Sequence, residues 1–412
     1  MHIKIYKHHI KMLKQFIFIS FMMIASAQDT LQIALRNTWN GIKQRNIDPY
    51  DIKCVHRPYS ETPNDCVSEG IGYGMLLALY ANDQQYFDLI FDSAERFMWN
   101  GKFYDWRINE YGVKTAFGAA TDAEQDIALA LIFAKQKLDN KEWTLSDQAY
   151  KYKLRAQMIC NNMWNERMIS YGKHVAPGAG WGGDDFVNPG YFAPYAYRIF
   201  EQFDSFHHDW NTVIDNCYKI ILNNVGFKHG FIPDWTDVNG QFYNGNLGYN
   251  AYGQGRYLYK DAIRIFWRIG IDYLWNNEPR AKDFLEQSYE FISEKGGAVA
   301  CNFYTMDGEL LPDNDVWIFD GGQKTRHRRE HSPLTIGMWS IVPAVLNKPD
   351  VQNFTQELLR YYETNATYWG LTQSLDDEDI QHNEMYFEQF LASFGALILN
   401  GDFIPITPIQ SV

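Results

Sequence analysis

Beyond its first 27 residues the chain lacks any uncharged apolar run long enough to cross a bilayer, which excludes a spanning helix there. Positive charge is in deficit: 37 Lys and Arg stand against 50 Asp and Glu, for a formal net charge of −13. Such a balance argues against nucleic acid or anionic lipid as partner. It suits neutral polymers and attracts cationic ones. Cysteine is scarce, with five residues in 412, and none of Cys54, Cys66, Cys160, Cys217 and Cys301 falls in a CxxC or other close-spaced pattern. A cysteine-based metal site is therefore not expected. Also absent is any Ser/Pro-rich linker, low-complexity tract or charge block, so residues 28–412 read as one large domain.

What is present begins with a leader. Lys4, Lys7, Lys11 and Lys14 form a basic start, Phe16 to Ile24 an apolar run, and Ala25-Ser26-Ala27 a small-residue cleavage pattern. This is the pattern of a secretory signal peptide over 1–27, so a secreted or periplasmic protein is expected, with no membrane partner after cleavage. Without the four leading lysines, 33 basic residues face 50 acidic ones, a formal charge of −17. Export permits disulfides. Cys54 and Cys66 are near enough in sequence to pair, an odd count leaves at least one thiol over, and buried unpaired thiols are the alternative. Aromatic content is 16 %, including 13 Trp and 27 Tyr. Large rings with polar tips build core, and they also stack on the apolar faces of sugar rings.

The dominant pattern is helical. Apolar residues recur at helical spacing near 29–45, 71–82, 84–99, 122–138, 146–166, 189–203, 208–224, 258–275, 279–294, 333–346, 350–364 and 384–400. Loops rich in Gly, Asn, Asp, Pro and Trp lie at 100–121, 167–188, 226–257 and 301–332. Strand signals are short and confined to loops. An all-α chain of paired helices with long loops after alternate members suggests an α/α toroid, although periodicity by itself does not specify a ring.

Four acidic positions stand out. Glu69 sits in Ser68-Glu69-Gly70-Ile71-Gly72-Tyr73-Gly74-Met75, at the start of an apolar helix. It reads either as a charge favoured by the helix dipole or as a carboxyl whose pKa is raised by an apolar pocket until it can donate a proton. Asp122 and Asp126 lie in Ala120-Thr121-Asp122-Ala123-Glu124-Gln125-Asp126-Ile127-Ala128. The default for Asp122 is a helix N-cap, and for Asp126 a structural role. Asp261 and Arg264 lie three apart on one helical face in Asp261-Ala262-Ile263-Arg264-Ile265-Phe266-Trp267-Arg268-Ile269. A surface ion pair is the plain reading, but the segment continues apolar on most sides. Two separated carboxyls in an aromatic-rich exported chain suggest glycosidic bond cleavage, one protonated and one ionised.

These segments, with Asn188-Pro189-Gly190-Tyr191-Phe192-Ala193-Pro194 and Phe231-Ile232-Pro233-Asp234-Trp235, occur in the order of the motifs of glycoside hydrolase family 8, which the chain resembles over nearly all of 28–412. The resemblance implies a six-hairpin α/α toroid, a barrel of six inner and six outer helices whose long loops form a substrate cleft. It implies an inverting enzyme with Glu69 as general acid and Asp261 as general base. Asp122 would bind and distort the sugar at the cleavage point, Tyr191 would hold the nucleophilic water, and Arg264 would orient Asp261. Trp181 and Trp106 would be sugar-stacking platforms. No metal and no cofactor are implied. The chain departs from the family in Gly190, where serine is usual, and Phe266, where proline is usual. The Gly70-Ile71-Gly72-Tyr73-Gly74 string follows no predicted strand, so it reads as close packing rather than nucleotide binding.

Thr121-Asp122-Ala123 and Phe266-Trp267-Arg268 are most similar to the β-glucan-cleaving members, so a polysaccharide or oligosaccharide of the β-1,4-glucan type is the expected partner of a monomer. Xylanase, reducing-end exo-oligoxylanase and chitosanase activities are the alternatives within the family. A non-catalytic glycan-binding protein and a polysaccharide lyase are the alternatives outside it, the lyase disfavoured by the acidic charge. Arg329-Glu330-His331-Ser332-Pro333 reads as a helix start capped by Ser332, with a cleft-shaping loop as the other reading.

Overall fold

The computed structural model describes residues 28–407 apart from 59, 61, 244, 246–256, 259–260, 302–303, 311–316, 321–322, 327–330, 364–366 and 371–385. The leader at 1–27, Tyr259, Lys260, Arg329 and Glu330 lie outside the described residues.

Among the described residues there are twelve α-helices. They are α1 (28–42), α2 (Ser68–Tyr80), α3 (Gln84–Phe97), α4 (Thr121–Asp139), α5 (Tyr152–Asn165), α6 (Pro194–Phe203), α7 (Trp210–Asn223), α8 (Ile265–Asn276), α9 (Pro279–Glu294), α10 (Pro333–Val345), α11 (Val351–Arg360) and α12 (Tyr386–Leu399). Composition sorts them. α2, α4, α8, α10 and α12 are buried on nearly every side. α3, α7, α9 and α11 bury one stripe only, such as Phe87, Ile90, Phe91 and Ala94 on α3. A helix apolar all round belongs inside, and a one-striped helix belongs on a surface.

The packing follows. α2 packs on α4, α4 on α6, α6 on α8, α8 on α10, α10 on α12, and α12 returns to α2. Each of α3, α5, α7, α9 and α11 packs outside the inner helix that precedes it. α1 and the turn that follows it are tied to the start of α3 by Trp39 Nε1 and Lys43 Nζ, which donate to Asp83 Oδ2 at 2.9 and 2.8 Å. This is the expected α/α toroid of inner and outer helices. No helix among the described residues is long and apolar enough to cross a membrane.

The long connections enter the inner helices at their N-terminal ends and carry the described strands, each two to four residues long. β1 (His56–Arg57), β2 (Asp65–Val67), β3 (Arg107–Ile108) and β4 (Lys114–Ala116) form one antiparallel sheet beside the entry to α2. Cys54 and Cys66 form a disulfide there, while Cys160 and Cys217 are buried thiols. Four expected helices are shorter than periodicity suggests: 146–166 is α-helical only from Tyr152, 350–364 only to Arg360, and 189–203 and 258–275 both start late. The 189–203 segment is a 3-10 turn at Pro189–Tyr191 followed by α6, because Pro194 pushes Ala193 out of helical geometry, to φ −122° and ψ 63°. In the 258–275 segment a 3-10 turn over Ala262–Arg264 leads into α8 at Ile265. Ser332 caps α10 by accepting from the Thr335 N–H at 3.3 Å, with Pro333 in the first turn.

Small residues set the closest approaches. A Cβ on Gly72 would lie 2.9 Å from Asp126 Cβ, and one on Gly74 would lie 2.7 Å from Val55 Cγ2. Between inner helices, the tightest such approach joins α10 to α12, where a Cβ on Gly395 would lie 2.2 Å from the Gly337 carbonyl oxygen. Gly395→Ala should therefore destabilise the protein by about 1–3 kcal/mol. The readout is a lower thermal midpoint, and an unchanged midpoint would show that the seam can open without penalty.

Candidate active site

Asp261 stands at the cap position of the 3-10 turn over Ala262–Arg264, yet its side chain makes no cap hydrogen bond. Asp234, from the loop before, takes that duty: its Oδ1 accepts from the Ala262 N–H at 2.8 Å. The Asp261 carboxylate is thereby released for other contacts. Its Oδ2 accepts from Asn188 Nδ2 at 3.0 Å, and its Oδ1 lies 3.0 Å from Arg264 Nη2.

Arg264 is fully buried and gathers the remaining acids. Nη1 donates to Glu69 Oε2 at 2.8 Å, to Asp122 Oδ2 at 2.7 Å and to Tyr73 Oη at 3.2 Å. The guanidinium also lies 4.9 Å from the Tyr191 ring centre. One cation thus contacts three carboxylates delivered by α2, α4 and the entry to α8. The surface-pair reading of Asp261 with Arg264 is replaced by a buried network, because α8 is enclosed by its neighbours in the ring. The N-cap reading of Asp122 is corrected as well. Ala120 holds the cap position, and Asp122 sits in the first turn with its Oδ1 accepting from the Ala123 N–H at 3.0 Å.

Glu69 also accepts a hydrogen bond from Tyr386 Oη, the first residue of α12. Burial raises its pKa to about 7, opposed by the Arg264 charge and reinforced by Asp122. Asp234 is pushed well above the usual carboxylate range by burial and then by the charge of Asp261. Glu124, two residues after Asp122 on α4, is raised to about 8 by burial; its Oε1 accepts from the Tyr104 N–H at 2.7 Å, and its Oε2 has no partner among the described residues.

One helical turn further along α4 and α8, Asp126 and Arg268 repeat the pairing. The contacts are Nη1 to Oδ1 at 2.5 Å and Nη2 to Oδ2 at 2.7 Å, both groups being buried. Arg268 also reaches Tyr195 Oη at 2.9 Å and lies 3.9 Å from the Trp267 ring centre. The carboxylate that sequence reads as structural is paired in this lower layer.

Tyr191 ends the 3-10 turn that Asn188 caps. Its carbonyl accepts from Gln125 Nε2 at 2.7 Å, and Gln125 Oε1 accepts from Tyr197 Oη at 2.8 Å. Trp106 and Trp181 are 36 % and 37 % exposed on adjoining loops. The Trp106 carbonyl accepts from the Ser68 N–H at 2.9 Å, one residue before Glu69. Trp181 packs edge-on to Phe186 and Trp235, in a loop whose Pro177 carbonyl accepts from the Thr121 N–H beside Asp122.

Sequence reasoning misses Tyr386, Tyr73, Asn188 and Asp234 as site residues. Asn188 and Asp234 lie within segments that drew attention, but for neighbouring residues. Tyr386 carries no local signal, since its partner is 317 positions away. Cys54, His56 and Cys66 converge, yet the two sulfurs are bonded to each other and offer no thiolate pair to a metal.

Arg264→Met should leave three carboxylates around an uncharged side chain and destabilise the fold by about 3–5 kcal/mol. Losing the cation removes the charge that holds the Glu69 pKa down, so the deficit against wild type should shrink as pH falls and Glu69 protonates. Denaturant unfolding at two pH values measures this, and a pH-independent deficit would show that Arg264 acts by packing alone.

Comparisons with known proteins bear on the family and the fold. The model of glycosyl hydrolases family 8 matches residues 11–296. Endoglucanase 2 of Ruminiclostridium josui is 35% identical over 306 residues, covering 73% of this chain and 63% of that protein. Endoglucanase A of Acetivibrio thermocellus is 35% identical over 310 residues, covering 72% and 61%. The chain thus spans just under two thirds of the length of these curated relatives. The structure of Rex8A from Paenibacillus barcinonensis complexed with xylose superposes with a TM-score of 0.69 at 18% identity, covering 93% of this chain and 95% of that one, a likeness of fold. With motifs in family order, a toroid of the same build and a family match across most of its length, the chain belongs to glycosyl hydrolases family 8.

Proposed function

We propose that the protein is a secreted, inverting glycoside hydrolase that cleaves β-1,4-linked glucan. The observation that carries this reading is the pair of unequal carboxyls on one guanidinium. Glu69 holds a proton near neutral pH, and Asp261 is a partly exposed acceptor beside Arg264.

In this mechanism Glu69 gives its proton to the glycosidic oxygen as the bond to the anomeric carbon breaks. A water held by Tyr191 and Asp261 attacks the opposite face of that carbon, and Asp261 takes the water proton. The leaving sugar ends as an alcohol and the new anomeric hydroxyl has inverted configuration. Asp122, fixed by Arg264, holds the sugar at the cleavage point. Trp106 and Trp181 offer stacking faces to flanking sugars. The chemistry is complete with side chains and water, so no cofactor is invoked. The glucan preference is supported by the relatives named endoglucanase. Export is supported by the leader pattern, and a monomer is proposed with it.

Glu69→Gln and Asp261→Asn should each lower reducing-sugar release from barley β-glucan by at least roughly 100-fold while leaving the fold intact. Near wild-type rates in either folded variant would sink the assignment. Activity requires Glu69 protonated, so kcat/KM should fall as pH rises through about 7. A rate that keeps rising through pH 9 would contradict Glu69 as the acid. A panel of β-glucan, carboxymethylcellulose, xylan and chitosan, with the product anomer followed by NMR, tests substrate and stereochemistry together. Release from xylan or chitosan alone moves the substrate, an unsaturated product indicates a lyase, and binding without release indicates a glycan-binding protein.

A further inference from the structure

Asp261 is gripped from two sides. Asp234 fixes the backbone that follows it, through the Ala262 N–H. On the other side stands the turn Asn188–Tyr191. Asn188 is fully buried and bridges the two: its Oδ1 accepts from the Gly190 N–H at 3.0 Å, and its Nδ2 donates to Asp261 Oδ2 at 3.0 Å.

Gly190 lies directly against the Asp261 main chain. A Cβ at this position would sit 2.2 Å from the Asp261 carbonyl oxygen, 2.8 Å from its carbon and 3.0 Å from Asn188 Oδ1. The backbone of Gly190 is not among those with positive φ, so its conformation does not demand glycine; the space does. A serine there, as in the resembled segment, would meet the same overlap. The turn and Asp261 are therefore closer in this chain than any larger residue at 190 allows. The turn is anchored from behind by Gln125 of α4 through the Tyr191 carbonyl, and α6 starts three residues on at Pro194. Pressure at 190 is thus passed to Asp261. Relieving the overlap takes a shift of roughly 1 Å, a displacement that can lower a rate about 100-fold when it parts reacting groups.

We propose that Gly190 is a positioning residue for the base. Its missing side chain lets the turn seat against Asp261, so that Asp261 and the Tyr191 ring form one rigid cradle for the attacking water. The proposal rests on Asp261 being the general base, and its test separates the two.

Gly190→Ala, Asp261→Asn and the double variant are assayed on barley β-glucan and on 2,4-dinitrophenyl β-cellobioside, whose leaving group needs no proton from Glu69. Gly190→Ala should lose about 100-fold in kcat on both substrates with KM within about 3-fold of wild type. The double variant should be no slower than Asp261→Asn, because both changes act on one group. Additive losses, a loss confined to β-glucan, or an unchanged kcat would each overturn the proposal while leaving the hydrolase reading standing. If wild type prefers another polymer of the panel, that polymer and its dinitrophenyl glycoside replace the glucan pair. Wild-type inactivity on every polymer, or full activity of Asp261→Asn, overturns the reading and the proposal with it. If Gly190→Ala does not fold, Asn188→Ala removes the same grip without overlap, and its loss should likewise vanish in the Asp261→Asn background.

Discussion

A single buried guanidinium, that of Arg264, holds the site and much of the ring together. A cation taken out of water needs anions close by, and three carboxylates in contact with one cation need that cation equally. The constraint fixes three separate stretches of chain to one point: the first turn of α2, the first turn of α4 and the entry to α8. Neighbouring inner helices are then aligned by their ends, where apolar side packing alone leaves them free to slide.

The same interaction sorts the acids. Glu69 and Asp122 contact one guanidinium nitrogen and Asp261 contacts the other. One cation does not offset three anions in an enclosed site, and Glu69 is the carboxyl that retains a proton near neutral pH. Burial is the largest influence on Glu69, and the Arg264 charge only partly offsets it. The dipole of α2 favours the anion at this position, yet the enclosed surroundings outweigh it.

Much of this was legible in the sequence, for a definable reason. Apolar residues at helical spacing report the helices, whereas the ring was implied by the family resemblance, because periodicity does not say which helices meet. Glu69, Asp122, Tyr191, Asp261 and Arg264 sit in local strings, and the structure brings all five together. What escaped is what depends on distant partners. Tyr386 meets Glu69 only because α12 returns to α2, and that closure has no local signature. Asp234 was passed over because the cap it provides belongs to a turn 28 residues later. Asp122 was read as a cap since side-chain chemistry alone cannot distinguish the cap position from the first turn.

The lower pair, Asp126 with Arg268, holds α4 to α8 through contacts that resemble those above it but involve neither Glu69 nor Asp261. The lower pair therefore ties α4 to α8 with charges that the proposed chemistry does not use. A lineage carrying this architecture can lose Glu69 or Asp261 by single substitutions and still present a folded groove lined by aromatic rings. Sugar-recognising proteins without catalysis are thus near neighbours of this chain in sequence space, reached by substitutions in the upper layer while the lower one still holds α4 to α8.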